Sequence, residues 1–342
     1  MSFKRKIILF ILFLFVYSCN GETDNISFKT SYPSSISSIT CPTPLNLPFT
    51  LRTTKFNHPD NIKKAKVGNI LGYSAIDFFA NSDQYPQVLT GIIGYGSGIA
   101  ITDFIYDEWV SLWYYNGDSW LELGRNKTDS NGRYSITIPD NLRFSYGTHK
   151  LYVVVEGDKS CTEQVLSIHP DNSKFIVTDI DGTLTANDTE IVNQMADTTY
   201  FPVSWPGAVE LMSYYAKKGY YLVYLTARPN GFRVLTREWL IKSGYPLGLM
   251  ITAPEYLHGA DVVNYKAGSV RKLFYNKWEI IAVHGNAETD IEAYQEVGIS
   301  NNNIFIIGEN AGKLGSTAVI SYPDFMTSSF IKTLPNANQP DK

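Results

Sequence analysis

The hydrophobic rhythm of the chain changes at His169-Pro170, and the two sides of that point call for different folds. Before it, from about residue 68, the apolar runs are short and rich in β-branched and aromatic residues. Val110 to Tyr115, Trp120 to Leu123, Tyr134 to Ile138 and Leu151 to Val155 are separated by turn-forming stretches such as Asn116-Gly117-Asp118 and Asp129-Ser130-Asn131-Gly132. Short strands with turn signals every ~8–12 residues predict a β-sandwich. Asp129-x-Asn131-Gly132 lacks the other ligands of a calcium loop and reads as a hairpin turn. After the break, strands alternate with helices. Phe175 to Thr178, Tyr220 to Leu225, Leu249 to Thr252, Ile280 to Val283 and Ile304 to Ile307 read as strands. Pro206 to Lys218, Gly231 to Ser243, Val262 to Phe274 and Glu288 to Val297 read as helices. That alternation predicts βαβ units and a parallel sheet, whose ligands sit at the carboxyl ends of the strands.

The chain of 342 residues has room for about two domains. Hydrophobic residues make up 44% and charged residues 18%, which excludes collagen, a coiled coil and wholesale disorder. The net charge is −4, and no basic block occurs beyond the N-terminus. A phosphate-backbone binder wants a basic face, so nucleic acid is not an expected partner.

Lys4, Arg5 and Lys6 precede an unbroken apolar run from Ile7 to Tyr17. As a helix that run rises ~16 Å, about half of a ~30 Å hydrocarbon core, so it reads as an export signal and not a spanning helix. Val16-Tyr17-Ser18-Cys19 resembles a bacterial lipobox, with Tyr17 departing from the usual small residue. The resemblance implies lipidation of Cys19 and a membrane-anchored lipoprotein of the cell envelope. A cleaved secretory peptide is the alternative. Residues 1–19 are thus the expected signal, 20–50 a Ser/Thr/Asn/Pro-rich tether, 51–170 the sandwich and 171–335 the α/β domain. Cys41 and Cys161 suggest one disulfide in an exported chain, with two unpaired thiols as the other reading.

The chemistry concentrates after the first strand of the second half, in Asp179-Ile180-Asp181-Gly182-Thr183-Leu184-Thr185. Two carboxylates two residues apart, at the end of a buried strand and before a glycine turn, repel one another. One can stay ionised while the other carries a proton. The turn offers backbone N–H groups to an anion. This run resembles the first motif of the haloacid dehalogenase superfamily of phosphatases. Thr226, in Leu225-Thr226-Ala227-Arg228, resembles the second motif. Lys266 is the candidate third-motif lysine, with a plain surface lysine as the alternative. Gly285-Asn286 followed by Asp290 resembles the fourth. His284 reads as a packed strand residue. Asn286 can hold a metal ion, cap a helix, or do both.

From about Lys174 to Gly315 the chain resembles one branch more closely: the lipin-type phosphatidate phosphatases and the related C-terminal domain of membrane-associated phosphatidylinositol transfer proteins. Lipins pair this domain with an immunoglobulin-like one. The transfer-protein branch has lost the catalytic aspartates and senses lipid, whereas this chain keeps Asp179 and Asp181. The resemblance implies a Mg²⁺-dependent phosphatase acting through an aspartyl-phosphate. Asp179 would be the nucleophile and Asp181 the acid–base. Asp179, Asp181, Asn286 and Asp290 would surround the metal. Gly182, Thr183, Thr226, Arg228 and Lys266 would hold the phosphoryl group. Phosphatidate is the leading substrate. A soluble phosphomonoester, or binding of an anionic lipid without turnover, are the rivals. The 47 residues from Asp179 to Thr226 and the 40 from Thr226 to Lys266 leave no space for a cap domain. An uncapped site with Met195, Tyr200, Phe201, Pro202 and Trp205 beside it suits a lipid, or those residues merely cover the sheet end.

Overall fold

A computed structural model describes residues 51–66, 70–71, 74–97, 100–197 and 199–339. The signal, the tether, Cys19 and Cys41 lie outside the described residues. Cys161 is fully buried and disulfide-bonded.

A short helix, α1 (Pro59–Lys66), precedes the β domain. Its strands are β1 (Ile70–Leu71), β2 (Ser74–Ile76), β3 (Phe78–Ala80), β4 (Val88–Ile92), β5 (Gly94–Ser97), β6 (Ala100–Phe104), β7 (Trp109–Tyr115), β8 (Trp120–Lys127), β9 (Arg133–Thr137), β10 (Gly147–Val155) and β11 (Ser160–Ile168). They form a five-stranded sheet in the order β3-β11-β10-β7-β8 and two three-stranded sheets, β2-β4-β9 and β1-β5-β6. Alternate residues point inward, as the period of two requires. Val110 and Leu112 meet Leu89, Tyr134, Ile136, Leu151 and Val153 in one core. Asp129 forms a turn, its Oδ1 accepting from the Asn131 and Arg133 amides at 2.8 Å.

The second half is an α/β domain. Its strands and helices are β12 (Lys174–Thr178), α2 (Thr189–Ala196), α3 (Ala208–Lys217), β13 (Tyr221–Pro229), α4 (Arg233–Ser243), β14 (Leu249–Ala253), α5 (Ala260–Tyr275), β15 (Glu279–Gly285), α6 (Glu288–Glu296), β16 (Ile304–Ile307), β17 (Thr317–Val319), α7 (Tyr322–Phe325) and α8 (Ser329–Thr333). Six parallel strands run in the order β14-β13-β12-β15-β16-β17. Numbered from β12, that is the doubly wound order 3-2-1-4-5-6, with its reversal between β12 and β15. Both faces are buried, so the strand centres are largely apolar, with polar residues toward the ends. Ile176, Leu222 and Tyr224 face α3 and α4 through Leu211, Met212, Tyr215, Trp239 and Leu240. Phe175, Val177 and Val223 face α5 and α6 through Val270, Leu273, Ile291 and Tyr294. The helices predicted over 206–218 and 231–243 lie within two residues of α3 and α4. The chain is therefore a β-sandwich followed by a haloacid-dehalogenase-like α/β domain.

The two domains share a buried ion cluster. Asp77, between β2 and β3, meets Arg233 at 2.8 Å and also pairs with Arg237, both on α4. Its remaining acceptor capacity takes the Val165 amide at 3.0 Å and the Met250 amide at 2.7 Å. Arg233 returns hydrogen bonds to the carbonyls of Ala75 (2.7 Å) and Met250 (2.9 Å). Val234, the next residue of α4, joins the sandwich core. Removing one partner of a buried ion pair leaves uncompensated charge and costs about 3–5 kcal/mol. Asp77→Ala strands two buried guanidiniums, so a loss of that size is expected in urea unfolding followed by tryptophan fluorescence. A loss below about 1 kcal/mol, the range of exposed pairs, would show that the cluster does not hold the domains.

Candidate functional site

The site lies where the strand order reverses. Asp179 follows β12, and its amide donates to the carbonyl of His284 on β15 at 3.0 Å, which ties the two strand ends together. The chain then turns through Gly182, whose φ of +67° suits glycine. A Cβ there would collide with the side chains of both Asn286 and Asp188, so the missing side chain lets those two approach. The turn is tied down by neighbours: Trp205 Nε1 donates to the Gly182 carbonyl at 2.9 Å, and Tyr322 of α7 donates to that of Thr183 at 2.7 Å.

Asp179 is 4% exposed and Lys266, from α5, is 3% exposed. Lys266 Nζ stands 2.8 Å from Asp179 Oδ1 and also pairs with Asp290 Oδ1. Burial pushes the Asp179 carboxyl up to about 7. Lys266 opposes that rise, and Asp290 and Asp181 add to it. For Lys266, burial alone would favour the neutral amine, but the attraction of Asp179 and Asp290 outweighs it and holds the ammonium. Asp290 Oδ2 accepts from the amides of Asn286 (3.0 Å) and Ala287 (3.1 Å) at the start of α6. Both of its oxygens are thus engaged. Asp290 supports Lys266 and the turn.

Asp181 differs from its expected setting. Arg228 Nε lies 3.1 and 2.9 Å from its two oxygens, and Nη2 lies 2.7 Å from Oδ1. Thr226 Oγ1 adds a contact at 3.4 Å. The Arg228 side chain is fully buried, and its Nη1 donates to Thr236 of α4 at 3.0 Å and Gln194 of α2 at 3.4 Å. Arg228, expected to reach a substrate, instead clamps Asp181. The amides expected to cradle phosphate are also differently used. That of Gly182 donates to Thr185 Oγ1 at 2.9 Å and that of Thr183 to the Ile180 carbonyl at 3.3 Å. The turn closes on itself, which leaves side chains to meet a ligand.

Thr183 Oγ1 lies 3.4 Å from Asp179 Oδ2 and 3.2 Å from Asn286 Oδ1, so these two oxygens converge. Among the described residues no group of three or more His, Cys, Asp and Glu side chains gathers as a metal site. One carboxylate oxygen and one amide carbonyl do suit Mg²⁺, which takes few protein oxygens and keeps water or phosphate for the rest. His284 is buried against Tyr215 (3.0 Å), and burial holds it down to about 3, so it is a neutral packed residue as its strand position suggests. Phe201 and Trp205 pack on the core, while Val203 is exposed. Asp188 escaped the sequence reading. It occupies the N-cap position of α2, where an aspartate reads as an ordinary cap, yet it makes no cap hydrogen bond and accepts from Asn286 Nδ2 at 3.0 Å.

With this geometry in view, the comparisons with known proteins are specific. Residues 176–308 match the family profile described as "PITM 1-3, LNS2 domain", and residues 75–168 match "PITM 1-3, beta-sandwich domain". Protein retinal degeneration B of Drosophila melanogaster is 31% identical over 202 residues, 59% of this chain and 15% of that protein. Membrane-associated phosphatidylinositol transfer protein 2 of Homo sapiens is 29% identical over 241 residues, 70% of this chain and 17% of its own. Protein 3 of Mus musculus is 29% identical over 254 residues, 73% of this chain and 25% of its own. Over these stretches the chain is similar to membrane-associated phosphatidylinositol transfer proteins. It spans a quarter or less of these relatives' length. Of the two branches resembled by the motifs, the relatives named here belong to the transfer-protein one. Among solved structures, a HAD-like chain from Mesorhizobium loti aligns with 43% of this chain and 79% of its own, at 16% identity and a TM-score of 0.33, too low to carry an argument.

The electrostatics give a test that needs no ligand. A carboxyl whose folded value stands above its unfolded one lends stability at low pH and loses it as pH rises through the folded value. For Asp179 that window runs from about 4 to about 7. Asp179→Asn, which mimics the protonated form, is expected to melt above the parent at pH 8 without divalent cations. The gap should narrow as pH falls through 5 and close near pH 4. A gap that does not change with pH would refute the buried charge.

Proposed function

We propose that the α/β domain binds the phosphomonoester headgroup of an anionic lipid of the phosphatidate type, together with a divalent cation. The clamped state of Asp181 carries this reading. A general acid must present a proton to the leaving oxygen, and both oxygens of Asp181 are engaged by a buried arginine. Turnover would require Asp181 to leave Arg228, whereas recognition requires no such movement. Similarity to proteins named for phosphatidylinositol transfer supports a lipid as the ligand.

Charge supports the cation. Among the described residues, Asp179, Asp181, Asp188 and Asp290 stand at the site with Lys266 and Arg228, a surplus of two negative charges when all are ionised. A dianionic phosphate would be repelled by that site alone. Asp179 Oδ2 and Asn286 Oδ1 would hold Mg²⁺, which supplies the missing positive charge. Lys266 then adds a fixed positive charge beside the phosphoryl oxygens. Anchoring through a lipid on Cys19 would keep the site at the surface of a bilayer. It belongs to the same proposal, as does export to the cell envelope.

Hydrolysis is the second reading, favoured by one observation: both aspartates of the first motif are present, with Lys266 beside Asp179. In it, Asp179 attacks phosphorus and the ester oxygen departs with a proton from Asp181. Water activated by Asp181 then cleaves the aspartyl-phosphate.

Flotation with vesicles containing phosphatidate, paired with phosphate release from the same vesicles, separates the readings. For binding alone, the chain should float with phosphatidate vesicles in Mg²⁺, lose that on chelation, and release no phosphate. Lys266→Ala should weaken vesicle binding about tenfold or more, while Asp179→Asn weakens it only where the cation is limiting. Steady phosphate release abolished by Asp179→Asn would establish the enzyme instead. Equal flotation with neutral vesicles would overturn the lipid assignment.

A further inference from the structure

We infer that Asp188 is a positioning residue that fixes which end of the Asn286 amide faces the cation site. The inference rests on the cation reading above. An asparagine side chain has one acceptor end and one donor end, and only the acceptor end can ligate a cation. Asn286 Nδ2 donates to Asp188 Oδ1 at 3.0 Å, and this directs Oδ1 toward Thr183 Oγ1 at 3.2 Å and the Asp179 carboxylate beyond it. A flipped amide would set its carbonyl oxygen against the Asp188 carboxylate, two acceptors at hydrogen-bonding range with no proton between them. It would also aim N–H groups at the position a cation would take.

Three features make this arrangement specific. Asp188 stands at the N-cap position of α2 without capping it. Asn187 serves the first turn instead, accepting from the Thr189 amide at 2.9 Å. The close approach of Asp188 and Asn286 needs the missing Cβ of Gly182, since a Cβ there would meet both side chains. The Asn286 backbone is held independently: its amide donates to Asp290 at 3.0 Å and its carbonyl accepts from Asn310 Nδ2 at 2.8 Å. With the backbone held, the rotation of the amide is what remains to be set, and Asp188 sets it.

The experiment is Mg²⁺ binding to the full chain, by titration calorimetry and by the Mg²⁺-induced rise in melting temperature, with neither depending on turnover. Residues that orient a metal ligand typically govern 10–100-fold in metal affinity. Asp188→Ala should therefore weaken Mg²⁺ about tenfold or more. Asp188→Asn retains an acceptor oxygen for Asn286 Nδ2 and should recover most of that loss. In an Asn286→Asp background both ends of residue 286 are oxygens, so Asp188→Ala should cost nothing there. Asp188 makes no cap hydrogen bond, and burial together with the charges of Asp181 and Asp290 pushes its carboxyl up, so without cation the variants should melt no lower than the parent. Asp188→Ala binding within twofold of the parent would overturn the inference. So would Asp188→Asn as weak as Asp188→Ala, or a full loss persisting in the Asn286→Asp background, since each marks a direct ligand or a bare charge. A parent that binds no Mg²⁺ would remove the cation reading and this inference with it, whereas a parent that binds while Asp188→Ala is unchanged removes the inference alone.

Discussion

The site is organised around one buried ammonium. Lys266 sits between Asp179 and Asp290, and each of these acids is tied to a different part of the fold. Asp179 is fastened at the end of β12 through the His284 carbonyl, while Asp290 receives the two amides that open α6. A charge removed from water is tolerable only when it is paired and hydrogen-bonded. The triad therefore locks α5, β12 and the β15–α6 turn in one relative geometry. The strand reversal between β12 and β15 opens the crevice, and Lys266 determines what lines it.

A second buried charge extends that order to the β-sandwich. Asp77 binds Arg233 and Arg237 on α4, and Thr236 on the same helix accepts from Arg228. Arg228 in turn holds Asp181. Through Asp77 the sandwich thus contacts the same helix whose Thr236 meets Arg228. The same helix places Val234 in the sandwich core.

These constraints bear on function through charge. On the proposed reading, four carboxylates beside two cationic side chains receive phosphate together with a cation, and the bidentate hold of Arg228 on Asp181 is the observation that supports recognition. The retained aspartate pair keeps hydrolysis as a defined rival.

Much of this was legible in the residues. The change of period at His169-Pro170 separates a β-sandwich from a parallel α/β domain because periods of 2 and 3.6 residues are written locally along the chain. Asp179 and Asn286 stand out because each directly follows a strand whose apolar run is plain, whereas Lys266, inside a helix, was marked only by its order along the chain. What the residues alone did not decide were partnerships between distant segments. Arg228 reads as a substrate contact until the structure turns it onto Asp181. The Gly182 and Thr183 amides read as a phosphate cradle until Thr185 and Ile180 take them. Asp188, Asp77, Arg233 and Arg237 carry no motif that marks them in the sequence, and their partners are visible only in the fold. A carboxylate's role depends on which donor reaches it first, and for Asp181, Asp188 and Asp77 that competition is settled by packing between segments 47, 98 and up to 160 residues apart. Local sequence determines where an acid stands on its strand or helix; only the tertiary structure decides what it faces.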